Sequence, residues 1–223
     1  MVVKKYSVFD DCVAMYNFEK DAKDLIGSNN GTVTGASLTT NRLGQVNSAY
    51  SFDGTDDYID LGSDTSLNIT GDITLCAWIK TTQSPIIGAV LVGKDGGTTT
   101  EMQYRIALNS GGTVQINKGS HLNMATSTST VNNGAWHFIV GTAISSTSTI
   151  YIDGVADGTG TTGSQTTANN ARIGNRDYNI TDYSGEMSFV GIWNVGLTAD
   201  QVLELYNISK NKNVTPVIRG GRN

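Results

Sequence analysis

The chain has 223 residues, of which 16% are charged, and a net charge of −5. This negative balance disfavours nucleic acid and anionic membrane surfaces as partners, because like charges repel. The 26 glycines and the 38% hydrophobic share are typical of many strands joined by many turns, and the length suits one large all-β domain. The sequence contains no apolar run of the length that a membrane-spanning helix requires.

The N-terminal part of the chain predicts a strand followed by a long polar connection. Cys12 to Phe18 is apolar on both faces, which is typical of a central strand. Glu19 to Val33 is polar and includes Asp24. Cys12 and Cys76, the only two cysteines, both fall in predicted strands, and we expect them to be buried free thiols.

The segment NSAYSFDGTDDYIDLG, Asn47 to Gly62, changes its apolar parity part-way along. Tyr50 and Phe52 stand at even positions, whereas Ile59 and Leu61 stand at odd ones, so the chain must turn or bulge between them. We predict a hairpin with a polar tip. Three carboxylates crowd that tip and form either a solvated turn or part of a calcium site: Asp53, Asp56 and Asp57.

Further alternating segments predict strands through the rest of the chain. Ile73 to Lys80 is one, and Ile150 to Ile152 leads into Asp153-Gly154, which favours a tight hairpin turn. Turn signals recur every 8 to 12 residues, as in an antiparallel sandwich. One helix is predicted, with Thr198 as N-cap and Gln201 completing a capping box, and we expect it to cover one end of the sandwich.

Five segments resemble the laminin-G-like, concanavalin A-like jelly-roll family in order and approximate spacing. They are AYSFDGTDDYIDLG, ITLCAWIK, WHFIVGT, IYIDGVADG and GIWNVGLTADQVLELYN. The resemblance implies a two-sheet antiparallel jelly-roll sandwich with one short C-terminal helix, covering residues 10–208. Residues 1–9 would then be an N-terminal segment and residues 209–223 a basic flexible tail.

The resemblance also implies a structural calcium ion between the Asp24 loop and the last strand. The family usually reads Gly-x-Ile-Asp-Glu-Val in that strand, whereas this chain reads GEMSFV, so Ser188 stands where an aspartate is expected. Our hypothesis is that Asp24, with Asp53 or Asp56, holds the ion through carboxylate oxygens.

Two segments offer the mixture of aromatic and planar polar groups that recognises sugars. Core packing or simple exposure in turns explains both segments as well. The candidate ligand-binding residues are Arg176, Asp177, Tyr178 and Tyr183 in one segment, and Tyr104 and Arg105 in the other.

Catalysis is not expected. Glucanases of this superfamily present acids as Glu-x-Asp-x-x-Glu, and none of the four glutamates here lies in such a pattern. The sequence also has no Gly-x-Ser-x-Gly nucleophile motif. We expect His137 to be a packed strand residue rather than a catalytic base.

The resemblance favours a recognition or adhesion module on the surface of a bacteriophage virion, as capsid decoration or tail fibre, that binds a cell-surface glycan or another virion protein. No secretory signal follows Met1, so we expect either synthesis in the host cytoplasm or a chain that has been trimmed from a longer one. A homo-oligomer is compatible with this interpretation, since such fibres are frequently trimeric. The alternatives are a purely architectural virion subunit and a secreted, extracellular bacterial carbohydrate-binding module.

Overall fold

The computed structural model describes residues 8–86, 88–98, 101–120, 124–176 and 182–215, and within them it shows the predicted antiparallel β-sandwich. The eight-stranded sheet has the order β13-β12-β11-β6-β15-β4-β3, and β1 pairs with β15. Its strands are β1 (Cys12–Tyr16), β3 (Ser37–Thr39), β4 (Ala49–Asp53), β6 (Ile73–Lys80), β11 (Trp136–Ile144), β12 (Thr147–Ile152), β13 (Val155–Thr161) and β15 (Ser184–Trp193).

The second sheet has seven strands in the order β10-β9-β8-β7-β14-β5-β2. These strands are β2 (Thr32–Thr34), β5 (Tyr58–Gly62), β7 (Ala89–Asp95), β8 (Met102–Leu108), β9 (Val114–Lys118), β10 (Met124–Thr126) and β14 (Ala171–Ile173). The helix α1 (Ala199–Asn211) follows β15, and short 3-10 turns lie at Thr65–Leu67 and Ser110–Gly112. None of the described helices is long and apolar enough to cross a membrane.

The main core lies between the two sheets. Alternate side chains of β6, such as Leu75 and Ile79, meet inward side chains of β8, such as Ile106 and Leu108, and all four are fully buried. Period-two alternation therefore decides which face of each strand packs inward. Burial of this continuous apolar layer is the main stabilising contribution to the fold.

The predicted hairpin at Gly54 to Asp57 is wrong. β4 belongs to the eight-stranded sheet and β5 to the seven-stranded one, so the two strands do not pair. Tyr50 and Ile59 nevertheless both enter the same core. The apolar parity changes because the chain crosses from one sheet to the other, where the inward direction is reversed. The hairpin at Asp153-Gly154 is confirmed, with φ values of 52° and 84° that suit a type I′ turn.

β1 was predicted to be a central strand, but among the described pairings it contacts β15 alone. Both of its faces are buried because a second apolar cluster covers the outer face of the eight-stranded sheet. Cys12 and Cys76 belong to this cluster, are free and buried as predicted, and have pKa values raised by that burial.

The capping box of α1 is confirmed: Thr198 Oγ1 accepts from the Gln201 amide at 3.4 Å, and Gln201 Oε1 accepts from the Thr198 amide at 2.9 Å. The predicted position of α1 is wrong. We expected the helix to cover one end of the sandwich, but it packs on the outer face of the eight-stranded sheet. Trp78 stacks on Tyr206 with ring centroids 5.8 Å apart and donates from Nε1 to Ser209 Oγ at 2.9 Å. The apolar side of the helix covers apolar side chains that point outward from several strands of the sheet. The alternating pattern of β6 alone does not show that its outward face is covered in this way.

Packed structure continues past residue 208, where we placed the start of the tail. The helix ends at Asn211, and both Ser209 and Val214 are buried. Asn17 Nδ2 also donates to the carbonyl oxygen of Val214 at 3.3 Å. At least residues 209–214 therefore belong to the folded domain.

Candidate functional site

Two of the three tyrosines that we predicted to face a sugar are core residues. Tyr104 and Tyr183 are both fully buried. The Tyr104 hydroxyl donates to the carbonyl oxygen of Leu67 at 3.0 Å, and the Tyr183 hydroxyl donates to that of Lys80 at 3.1 Å. Tyr104 faces inward because it shares the parity of Ile106 on β8. Neither ring is available to stack on a ligand, which corrects that part of the prediction.

The two predicted arginines, by contrast, come together. Arg105 lies on the outer face of the seven-stranded sheet, and its Nη1 contacts Asp95 Oδ2 at 2.7 Å. Arg176 approaches the same oxygen at 4.0 Å. Both side chains are almost completely buried. Asp177 and Tyr178, the neighbouring predicted residues, lie outside the described residues.

Strand register aligns a row of outward positions across the seven-stranded sheet. From β9 to β5 the directly paired residues are Asn117, Arg105, Gly93, Arg172 and Asp60. Neighbouring strands lie about 4.8 Å apart, so the row extends for roughly 19 Å. That length matches a short oligosaccharide or peptide.

One end of the row is a half-buried group that we call the shelf: Tyr58, Asp60, Asn170 and Arg172. The Arg172 guanidinium lies 4.5 Å from the centroid of the Tyr58 ring, and its Nε is 3.4 Å from Asp60 Oδ2. Asn170 Nδ2 donates to both Asp60 oxygens at 3.0 Å. The shelf thus presents an aromatic ring, a carboxylate, an amide and a guanidinium to the solvent side of the sheet.

Beside the shelf lies a buried cluster of Asp95, Arg105 and Arg176, and Gln103 lies on the same face of β8, two residues before Arg105; none of the four is more than 5% exposed. Arg105 donates two hydrogen bonds, from Nη1 to Asp95 Oδ2 at 2.7 Å and from Nε to Asn117 Oδ1 at 3.0 Å. Burial lowers the pKa of Arg105, Asp95 opposes that shift, and the nearby Arg176 adds to it. Within the described chain, Gln103 Nε2 and Oε1 and Arg176 Nε and Nη2 have no hydrogen-bond partner.

We did not predict the shelf from the sequence. Tyr58 and Asp60 alternate with the core residues Ile59 and Leu61, and this alternation marks them as outward-facing. The pairing of Arg172 with Asp60 depends on two strands more than 100 residues apart in the chain. Periodicity gives the face of each residue, but it does not give this register.

The proposed metal ligands do not form one site. Asp24 Oδ1 accepts from the backbone amides of Met15 and Ile26, each at 3.0 Å, while Oδ2 accepts from the Asn29 amide at 3.1 Å. Its carboxylate organises the loop. Met15 pairs with Gly191 and Asp53 pairs with Ser184, seven residues away on the same strand. Seven residues of strand span about 23 Å, so Asp24 and Asp53 cannot bind one ion.

Asp53 and Asp56 do approach Asp57. One carboxylate oxygen from each lies within 4.8 Å of the others, the one such acidic group in the described residues. Burial raises the pKa of Asp57, as do the charges of Asp53 and Asp56, while a hydrogen bond from the Asp53 amide opposes the shift. Carboxylate oxygens grouped in this way are the hard donors that Ca²⁺ prefers.

A model of the concanavalin A-like lectin/glucanases superfamily (Laminin_G_3) matches residues 53–203. The chain belongs to this superfamily. The match begins at the last residue of β4 and ends within α1, so it includes both ends of the polar row. No curated protein sequence matches the chain.

Solved structures share the fold of this superfamily member. Domain 4 of the extracellular GH43 arabinanase AbnA from Geobacillus stearothermophilus, solved with arabinotriose, is 19% identical, with a TM-score of 0.67 over 88% of this chain and 98% of that one. The binding domain of Paraclostridial Mosquitocidal Protein 1 is 18% identical, with a TM-score of 0.65 over 93% of this chain and 54% of that one. The ligand binding domain of Botulinum neurotoxin serotype D, solved with N-acetylneuraminic acid, is 14% identical, with a TM-score of 0.65 over 89% of this chain and 51% of that one.

Proposed function

We propose that this domain is a non-catalytic glycan-recognition module and that its binding site is the outer face of the seven-stranded sheet. The observation that carries the proposal is the continuous polar row from the half-buried shelf to the buried cluster. Aromatic and planar polar groups side by side suit the apolar faces and hydroxyl groups of sugars. Asp60 and Arg172 hold each other in position, so the shelf is preorganised.

The comparisons support this class of ligand. The arabinanase domain, which this chain matches over nearly its whole length, was solved with arabinotriose, and a neurotoxin binding domain was solved with N-acetylneuraminic acid. The arabinanase domain shares the sandwich over 98% of its length, and the neurotoxin domain shares it over 51% of its length. Since the fold serves many functions, the argument for this chain still depends on its own side chains.

The acids of the polar row argue for binding over hydrolysis. Glycosidases need two carboxyl groups that face each other across the scissile bond. Here each acid is paired with an arginine instead, Asp60 of β5 with Arg172 and Asp95 of β7 with Arg105. His137, whose Nδ1 lies 2.8 Å from Asp153 Oδ2, belongs to the other sheet and does not face this row.

A glycan array tests the proposal. The domain, multimerised for avidity, is probed alongside Tyr58→Ala and Arg172→Ala, with the exposed Lys23→Ala as the matched control. Binding by wild type and control that falls about tenfold or more in both shelf variants supports the site. Full binding by both variants would place the site elsewhere, and no binding by the folded wild type would contradict glycan recognition.

Placement on a bacteriophage virion surface remains our more specific proposal. Labelled antibodies to the domain should decorate intact particles if it is correct. A particle-bound domain without any glycan ligand would favour the architectural subunit, whose partners are other virion proteins.

The similarity to the arabinanase domain favours the remaining alternative, a secreted carbohydrate-binding module. A catalytic domain encoded in the same gene would be the decisive finding for that alternative.

We also propose that any structural calcium ion is held by Asp53, Asp56 and Asp57. Asp24 is excluded from that set by its distance and by its own hydrogen bonds. The ion would neutralise the repulsion among the three carboxylates and fix the connection between the two sheets.

A further inference from the structure

Arg176 presents an unused hydrogen-bonding edge. It is 4% exposed, and its Nη1 is the nitrogen that approaches Asp95. The remaining nitrogens of the opposite edge, Nε and Nη2, have no partner in the described residues. These two groups carry parallel N–H bonds, and a planar carboxylate fits them with two hydrogen bonds.

The charges around this edge are unevenly shared. Asp95 is in close contact with Arg105, at 2.7 Å, and lies farther from Arg176, at 4.0 Å. Asp182 is the other nearby acid: burial raises its pKa to about 6, while the hydrogen bond from Asn175 and the positive charge of Arg176 oppose that shift. The carboxylate of Asp95, which lies within 4.0 Å of Arg176, is therefore shared with Arg105. Leaving buried charged donors unpartnered is costly, so a native partner is expected.

Gln103 supplies a second set of unused groups on the outer face of the same sheet. It is 1% exposed, it precedes Arg105 by two residues on the same face of β8, and neither amide atom has a partner among the described residues. An amide both donates and accepts, as recognition of a sugar hydroxyl requires. The outer face thus offers a carboxylate fork at Arg176 and an amide for a hydroxyl on β8.

The shelf adjoins the cluster directly. Arg172 Nη1 donates to the carbonyl oxygen of Arg176 at 3.3 Å, and also to Asn175 Oδ1 at 3.3 Å. A sugar that lies on the shelf would therefore extend toward the fork. This arrangement discriminates among glycans, since a neutral sugar leaves the fork unpaired.

We propose that the glycan recognised on this face is acidic, with its carboxylate bound by Nε and Nη2 of Arg176 and a hydroxyl group elsewhere on the glycan bound by Gln103. The inference depends on the proposed glycan recognition and names its ligand class. The carboxylate belongs to a hexuronic acid or to a sialic acid, which share this chemistry.

The test measures binding by calorimetry to four probes: oligogalacturonate, its methyl ester, sialyllactose and lactose. We expect one carboxylated probe to bind and its uncharged counterpart to bind about 10- to 100-fold more weakly, as loss of a charged hydrogen-bonding pair predicts. The probe that binds identifies the source of the carboxylate. Equal binding of a charged probe and its neutral counterpart would overturn the inference and leave glycan recognition standing, whereas no binding to these probes or to any array glycan would overturn both.

Variants of Arg176 locate the contact. Arg176→Lys keeps the charge but lacks the fork, and Arg176→Gln lacks both, so we expect each to lose the preference for the carboxylated probe while Lys23→Ala keeps it. Circular dichroism and a thermal melt confirm that each variant is folded. If Arg176→Gln fails to fold, Gln103→Leu provides the second test. A folded Arg176→Lys that keeps the full preference would overturn the assignment.

Discussion

Arg42 Nη1 donates to Ser188 Oγ at 2.8 Å. By the family resemblance Ser188 stands where an aspartate is expected, and here its hydroxyl accepts from a partly buried guanidinium. The same guanidinium lies 4.8 Å from the centroid of the Trp78 ring and donates to the carbonyl oxygens of Ser209 and Lys212. One side chain thus connects the eight-stranded sheet to the C-terminal end of α1.

Replacing Arg42 with alanine should destabilise the domain. The substitution leaves the hydroxyl of Ser188 and two carbonyl oxygens without their donor, and it removes the cation from the Trp78 ring. We expect a loss of about 2–4 kcal/mol in the free energy of unfolding, measured by urea denaturation. Arg42→Lys should recover part of it, and Lys23→Ala should change stability by less than about 0.5 kcal/mol. A loss for Arg42→Ala no larger than for Lys23→Ala would refute this connecting role.

The fold was predictable where local pattern and tertiary packing agree. The capping box at Thr198, the Asp153-Gly154 turn and the strand from Ile73 to Lys80 were all predicted from the sequence and confirmed. The β4–β5 connection was misread because a hairpin and a crossing between sheets give the same polar, Asp-rich segment. Only the pairing partners, Ser184 for Asp53 and Ile173 for Ile59, distinguish the two cases.

The candidate site was less predictable. Composition marked Arg105 and Arg176 as polar residues near aromatic ones, but Tyr104 and Tyr183 pack inward through the parity of their strands. The contact of Arg105 and Arg176 with Asp95 joins three separate segments of the chain. Such convergence depends on strand order, for which a single sequence carries no local signal.

Removing α1 should expose the second apolar cluster. A chain that ends at Leu197 lacks Val202 and Leu205, the buried side chains that cover Trp78 and Phe138. We expect it to bind the dye ANS and to aggregate, because an apolar patch of this kind is unstable in water. A chain that ends at Thr215 keeps every described contact of the helix and is the control. A monomeric, dye-free chain ending at Leu197 would show that the helix is dispensable.

Asp182 should make stability depend on pH. Burial raises its pKa to about 6 in the folded state, and the hydrogen bond from Asn175 only partly opposes this shift. The unfolded value is about 3.9, so between these values the folded state binds more protons, and the contribution of Asp182 to stability falls as pH rises. Asp182→Asn has no carboxyl group to ionise, so it lacks this loss of stability at higher pH. We expect the variant to gain on the order of 1–2 kcal/mol over wild type at pH 7.5, and little at pH 4.5.

Denaturation of both proteins in urea at each pH provides the measurement. The informative quantity is the change, between the two pH values, in the difference between variant and wild type, since other groups titrate equally in both. A pH-independent difference would mean that the Asp182 carboxyl is ionised to the same extent in the folded and unfolded states.

Calcium should distinguish the two acidic loops. If Asp53, Asp56 and Asp57 bind the ion, excess calcium will raise the thermal midpoint above that in chelator by several degrees, because a ligand of the native state stabilises it. Asp56→Asn should abolish most of that shift. Asp24→Asn should lower the midpoint in both conditions, since its carboxylate accepts the loop amides, yet keep the calcium shift. Loss of the shift in Asp24→Asn alone would return the ion to the Asp24 loop, and identical wild-type melts with calcium and with chelator would show that the three carboxylates form a solvated turn.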